Sequence, residues 1–206
     1  MFRKLNIYYK HFVMNFYIKN IFKSVVRKHP ESIEDIHQTF TLRGCDSRKV
    51  TSFDRFKHLM KYYPEFVYIL QWRTGLLKNK RLKQLFNYQT YHCKIFGSTK
   101  IKGGLSCFHP FATVINAKSI GENFEFRNGL TIGNKYNDNR LLPTIGNNVT
   151  VGANVCIIGK LKIGNNVVIG AGSVVVKDIP DNVIAAGNPA KVIKNLEDNS
   201  GKILDS

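Results

Sequence analysis

Imidazole titrates closer to neutrality than any other side chain, so the histidines of a new sequence are its first candidates for proton transfer or metal binding. This chain has six, and His11, His29, His37, His58 and His92 all lie in its first 92 residues. The remaining one, His109, stands in the segment GGLSCFHPFATVIN. A single histidine there cannot supply a three-histidine zinc site unless neighbouring subunits share ligands. That leaves proton transfer, or a plain corner role before Pro110. His92 is the nearest rival. A second candidate is the run IGAGSVVVKDIPDNVIAAGNPAKVIK. Its Gly170, Ala171 and Gly172 leave backbone open to a ligand, and Lys177 and Lys191 offer cations. The same lysines also read as a solvated face, and Gly187 with Pro189 as a chain reversal.

These residues sit on a six-residue beat. From Val114 it runs VINAKS, IGENFE, FRNGLT; after an interruption it resumes as IGNNVT, VGANVC, IIGKLK, IGNNVV, IGAGSV, VVKDIP. The first position is always apolar: Val114, Ile120, Phe126, Ile145, Val151, Ile157, Ile163, Ile169 and Val175. Neither a period of two nor one of 3.6 fits this register. Six residues suffice for a short strand and a tight corner, and glycine and asparagine tolerate the positive φ of such a corner. Three units of this kind, about 18 residues, close one triangular coil of a parallel β-helix, which buries its apolar face only by stacking on its neighbours. Ile132 and Ile145 are 13 positions apart where two units give 12, and GNKYNDNRLLP between them is predicted to project as a loop.

The repeat, spanning roughly residues 93–195, resembles that of the hexapeptide-repeat acyltransferases. The resemblance implies an α+β chain: an N-terminal α-helical region, then a left-handed parallel β-helix, a handedness contrary to the usual crossover rule, with one projecting loop at 133–143. The end of the repeat closely resembles that of the family's acetyltransferases. A helical region before a β-helix is the layout of serine acetyltransferases, and the segment around His109 is similar to their catalytic-histidine segment. Carried over, acetyl-CoA is the acyl donor, with no metal. His109 takes the acceptor's proton, and the backbone N–H of Gly133, in LTIGNK, faces the oxyanion. Ala153, Gly170 and Ala171 line the path of the thioester arm, and Lys177 and Lys191 lie near the phosphates. The flat faces of a triangular prism imply a homotrimer with active sites between subunits.

The chain departs from the serine enzymes where they hold their amino acid. Phe108 stands in place of the aspartate before the histidine, and Lys94 falls fifteen positions upstream, where they have another aspartate. Leu141 and Leu142 precede Pro143 in place of an arginine–histidine pair, with Arg140 one step earlier. Arg140 is the available substitute for that pair, flanking the acceptor, but Phe108 and Leu142 leave less to hold a zwitterion. They suit an acceptor with hydroxyls and apolar faces, such as a glycan or its precursor. The chain also resembles the serine-acetyltransferase-like enzymes of bacterial surface-polysaccharide biosynthesis. Serine O-acetylation stays open as an alternative, as does a non-enzymatic scaffold at a membrane surface.

The 206 residues carry a formal charge of +17, unevenly divided. Residues 1–92 hold 18 Lys and Arg against 6 Asp and Glu, and residues 93–206 hold 13 against 8. The expected divisions are a basic, aromatic-rich helical region at 1–92, the β-helix at 93–195 and a polar tail at 196–206. Residues 1–29 read as a helix ending before His29-Pro30, apolar, basic and free of acid. They suit peripheral contact with an anionic membrane, or a packed helix with a solvated basic face. SIEDIHQTF reads as a short helix with Ser32 as cap and Asp35 in a capping box. Residues 52–88 read as helical with breaks near Pro64 and Gly75. No signal peptide is evident, and the spacing of the four cysteines fits neither a disulfide framework nor a zinc site, which points to the cytoplasm. No zinc finger or RNP-like motif points to nucleic acid.

Overall fold

A computed structural model describes residues 2–45, 50–78 and 80–196, so the tail after Leu196 lies outside the described residues. The chain forms two compact units: residues 1–91 with 102–108, and residues 92–101 with 109–206.

The first unit is helical: α1 (Phe2–Lys28), α2 (Glu31–Leu42), α3 (Ser52–Tyr62), α4 (Pro64–Thr74) and α5 (Lys80–Leu85). Pro30 ends α1 because a proline ring clashes with a preceding helical turn, whereas Pro64 starts α4, where a missing N–H costs nothing. Gly75 closes α4 at φ 62, a left-handed conformation that glycine adopts without steric cost. Thr51 caps α3 in a reciprocal box with Asp54. The expected box on α2 does not form. Ser32 is buried without a hydrogen-bond partner for its hydroxyl, and Pro30 takes the cap position. Asp35, 1% exposed, instead pairs with Arg73 of α4 at 2.6 Å (Nε to Oδ2) and 3.0 Å (Nη2 to Oδ1). Ile18, Val25, Ile36, Phe56, Leu59, Val67 and Leu77 fill the surrounding apolar core.

The second unit stacks coils whose short strands fall on three faces. The first face carries β1 (Lys94–Ile95), β4 (Val114–Ile115), β7 (Thr131–Gly133), β10 (Cys156–Ile158) and β13 (Val174–Val175), all parallel. The second carries β2 (Lys100–Ile101), β5 (Ser119–Ile120), β8 (Thr144–Ile145) and β11 (Lys162–Ile163). On the third, β6 (Glu125–Arg127), β9 (Val149–Val151), β12 (Val167–Ile169) and β14 (Val183–Gly187) are parallel, and β15 (Ala190–Asn195) folds back antiparallel to β14. β3 (Ser106–Phe108) belongs to the helical unit.

Strand register measures the coils. On the first face Lys94 pairs with Val114, Val114 with Thr131, Thr131 with Cys156 and Cys156 with Val174, so successive coils take 20, 17, 25 and 18 residues. The 25-residue coil contains the projecting loop, which lies wholly in the step from β7 to β8. The apolar first positions stack inward as columns, among them Ile120, Ile145 and Ile163 on the second face, all at most 2% exposed. A corner column of Asn123, Asn148, Asn166 and Asn182, all at φ 54–58, links the coils through side-chain amides 2.8–2.9 Å apart.

Candidate active site

His109 lies exposed in the turn that enters the first face at Val114. Coil after coil repeats this turn: residues 109–113, 127–130, 152–155 and 170–173. Backbone bonds tie the turns into a column. Gly129 N–H donates to Phe111 C=O, Asn154 N–H to Asn128 C=O, and Gly172 N–H to Ala153 C=O, each at 2.8 Å. The upper turns each have one left-handed residue, Gly129, Asn154 or Gly172. The lowest has two: Ala112 at φ 52 and His109 at φ 48. The extra left-handed residue turns the chain sharply at the imidazole, and the Phe111 N–H donates back to the His109 carbonyl at 2.6 Å. Strain of this kind concentrates at functional positions.

Directly above His109 the column carries Arg127 and Asn128, and small residues follow only in the next two turns, at Gly152–Ala153 and Gly170–Gly172. Ala153 lies two turns up and Gly170–Ala171 three, roughly 14 Å along the axis at the ~4.8 Å spacing of paired strands. Gly152 cannot be replaced without moving the backbone, because a Cβ there falls 2.6 Å from the Ala171 nitrogen. The equivalent position one coil lower is Arg127, since Phe126 pairs with Val151 as Val151 pairs with Ile169. Arg127 is exposed, with Nη2 3.5 Å from the Glu125 carboxylate. It is not among the residues the sequence singled out. Its signal was there: FRNGLT has arginine where the coils above have glycine.

The other sequence-predicted residues lie elsewhere. Gly133 ends β7 at the opposite edge of the first face, where its carbonyl accepts from Gly159 N–H at 3.0 Å. From there the chain leaves in a tight hairpin. Lys135 bridges Asp138 in antiparallel fashion, with Tyr136 at φ 59 and Asn137 at φ 56 as the two turn residues, the pattern of a type I′ turn. Asp138 receives the Arg140 guanidinium at 2.8–3.0 Å through both carboxylate oxygens, which holds its carboxyl below the usual range. Arg140 is exposed and Leu142 half-buried on this same loop. Lys177, exposed, follows β13 at the same edge, and Lys191 stands on β15 opposite Ala186. Phe108 ends β3 in the helical unit, where its ring centroid lies 4.2 Å from the Arg43 guanidinium.

Within one chain, then, His109, Ala153, Gly170 and Ala171 share one corner of the prism. Gly133, Arg140, Leu142 and Lys177 share the edge across the first face.

The bacterial transferase hexapeptide family, with its six repeats, matches residues 143–177. The colanic acid biosynthesis acetyltransferase WcaB of Escherichia coli K12, itself named as putative, is 49% identical over 85 residues, which are 41% of this chain and 52% of that protein. Chloroplastic serine acetyltransferase 1 of Arabidopsis thaliana is 34% identical over 185 residues, covering 86% of this chain and 58% of that one. The chain spans about half the length of the curated relatives it matches. Among solved structures, the Brucella abortus serine acetyltransferase in complex with coenzyme A aligns with a TM-score of 0.61 at 24% identity, over 85% of this chain and 73% of that one. At that identity the likeness establishes the fold, a helical region followed by a left-handed β-helix. Residues 143–177 thus carry the family's hexapeptide repeat, and over most of its length the chain is similar to the serine acetyltransferases.

Proposed function

We propose that the chain is an acetyl-CoA-dependent O-acetyltransferase that uses His109 as general base. One observation carries the reading: a strained, exposed histidine at the foot of a column whose two upper turns are the small residues Gly152–Ala153 and Gly170–Gly172. The column suits an extended pantetheine arm, and the Brucella relative carries coenzyme A on the same fold. The acceptor hydroxyl loses its proton to the His109 imidazole as its oxygen attacks the thioester carbonyl. The tetrahedral oxyanion then expels the thiolate, which takes that proton back from the imidazolium, leaving an acetyl ester and free coenzyme A.

Gly133, Arg140 and Leu142 lie on the far edge of the first face. In a homotrimer of prisms packed side by side, the His109 corner of one copy meets this edge of the next. Gly133 N–H then serves the oxyanion, Arg140 and Leu142 flank the acceptor, and Lys177 and Lys191 serve the donor's phosphates. The acceptor we favour is a hydroxyl of a glycan or glycan precursor, because Phe108 and Leu142 replace groups suited to a zwitterion and WcaB is named for colanic acid biosynthesis. Serine is the second reading, favoured by the Arabidopsis relative, which aligns with 86% of the chain. The work is done on the cytoplasmic side, where acetyl-CoA is made.

Thiol release from acetyl-CoA, measured with serine and with nucleotide-linked and lipid-linked sugars, tests the proposal. One acceptor class should be turned over, and His109→Ala should lower its rate about 10²–10⁴-fold. Full activity in His109→Ala rejects the base assignment. Mixing inactive His109→Ala copies with copies defective in Arg140 and Leu142 should restore part of the activity, and no recovery rejects a site shared between copies.

A further inference from the structure

The acetyl-transfer reading makes no use of α1, yet α1 has a surface of distinct chemistry. Ile18, Ile21 and Val25 point into the helical core. On the opposite side, Phe12 is 72% and Phe16 60% exposed, and Lys19, Lys23 and Arg27 are exposed as well. At about 100° per residue, positions 12, 16, 19, 23 and 27 fall within an arc of roughly 80°. They form one stripe, aromatic at its N-terminal end and cationic towards its C-terminal end. Phe16 meets the ring of Tyr17 edge-on at 5.8 Å, and Tyr17 is itself 38% exposed, so the contact orients Phe16 without covering it.

We propose that this stripe docks the protein on the surface of an anionic lipid bilayer. Phe12 and Phe16 enter the interface, and Lys19, Lys23 and Arg27 lie against the headgroup phosphates. Charge selects this occupant. Residues 2–28 hold seven Lys and Arg and no Asp or Glu. A second copy of the same stripe brings cations against cations, which opposes pairing. A nucleic acid backbone takes up the cations but leaves two phenyl rings in water. An anionic bilayer accepts both, since headgroups attract each cation while the acyl boundary takes the rings. No described helix is long and apolar enough to cross a membrane, so the contact lies in the plane of the surface.

The test is co-sedimentation of the full chain with large unilamellar vesicles. One set is phosphatidylcholine alone, and the other contains about a third phosphatidylglycerol. Binding to the anionic set should exceed binding to the neutral set at least tenfold, and it should weaken as salt rises from low to high. Phe12→Ser with Phe16→Ser should reduce it at least tenfold further, and Lys19→Glu with Lys23→Glu should abolish it. These positions face solvent, and circular dichroism should show unchanged helix content. Equal binding by the serine variant overturns the proposal, as does absence of binding to anionic vesicles. Two other results overturn it by naming another occupant. One is a concentration-dependent dimer that the serine variant loses. The other is binding to polyuridylate that outcompetes vesicles and is indifferent to Phe12 and Phe16. Acetyl transfer to a soluble acceptor should be the same in the serine variant, so this result and that of the catalytic reading are read separately.

Discussion

The two units hold themselves together in opposite ways. The β-helix repeats small devices: an inward Ile or Val in each coil, a left-handed asparagine at one corner, a glycine where coils approach closely. Asn148 and Asn166 illustrate it, each bonded to the asparagine below and the one above by the same amide geometry. The helical unit has no such redundancy. Asp35 is buried, and its carboxylate gathers Arg73 from α4 and the Leu105 N–H at 2.7 Å. Arg73 in turn donates to the Lys102 carbonyl at 2.9 Å. One carboxylate thus ties α2, α4 and the 102–105 segment. In a repeat, losing one device is a local loss. In the helical unit, losing one partner leaves a charge buried without compensation.

Arg73→Ala should show that contrast at its largest. Removing one member of a buried ion pair costs about 3–5 kcal/mol, because the remaining charge stays desolvated. Urea unfolding followed by helical circular dichroism should record that loss. Replacing both Asp35 and Arg73 by leucine should recover most of it. If Arg73→Ala loses less than about 1 kcal/mol, the helical unit is as redundant as the solenoid, and the contrast fails.

The same carboxylate gives a pH signature of somewhat smaller size. Burial raises the Asp35 pKa from its ordinary 3.8 to about 6, against the pull of Arg73 and the backbone donors. A group whose folded pKa is raised keeps its proton longer in the folded chain than in the unfolded one. Its contribution to stability is therefore full below pH 4 and is lost as pH rises to about 6. Relative to Asp35→Asn, the wild-type chain should lose on the order of 2–3 kcal/mol across that window. A difference that rises with pH instead would mean that the guanidinium outweighs burial.

The contrast also explains what could be read from the sequence. The β-helix was legible because its devices recur: nine apolar first positions leave little choice of fold. Helix limits at Pro30, Pro64 and Gly75 were legible because those residues act on local backbone alone. Asp35 was not. Its neighbours in sequence suggested a cap, whereas its partner Arg73 lies 38 positions away and no local pattern marks it. The interior of the loop was hidden. The 13-position gap between Ile132 and Ile145 looked like two units with one residue added, yet the register makes it one stretched step between β7 and β8. A tyrosine at a left-handed turn position gives no turn signal, so the hairpin at Tyr136–Asn137 was invisible. At the candidate site, His109 and the Gly170–Ala171 turn were read from the residues and Ala153 from the resemblance, and all fall on one corner. The separation of Gly133, Arg140 and Leu142 onto another edge depends on where each face begins, which a list of repeats does not reveal.

The asparagine ladder provides the smallest and most discriminating test. Asn166 accepts from Asn148 at 2.9 Å, donates to Asn182 at 2.8 Å and holds φ 54. Asn123, at the foot of the ladder, holds φ 57 and donates to Asn148 at 2.9 Å. Alanine at either site loses the left-handed tolerance of asparagine, but only Asn166→Ala loses a bond on both sides. Each exposed bond contributes about 0.5–1 kcal/mol, and a left-handed alanine costs a further ~1 kcal/mol. Asn166→Ala should therefore cost about 2–3 kcal/mol, and Asn123→Ala about 0.5–1 kcal/mol less, in thermal unfolding of the β-helix. Asn166→Gly, which regains the backbone freedom but not the bonds, should fall between wild type and Asn166→Ala. If the two alanine variants cost the same, the amide bonds contribute nothing and backbone conformation alone accounts for asparagine at this corner. The solenoid would then be held by its apolar columns rather than by its ladder.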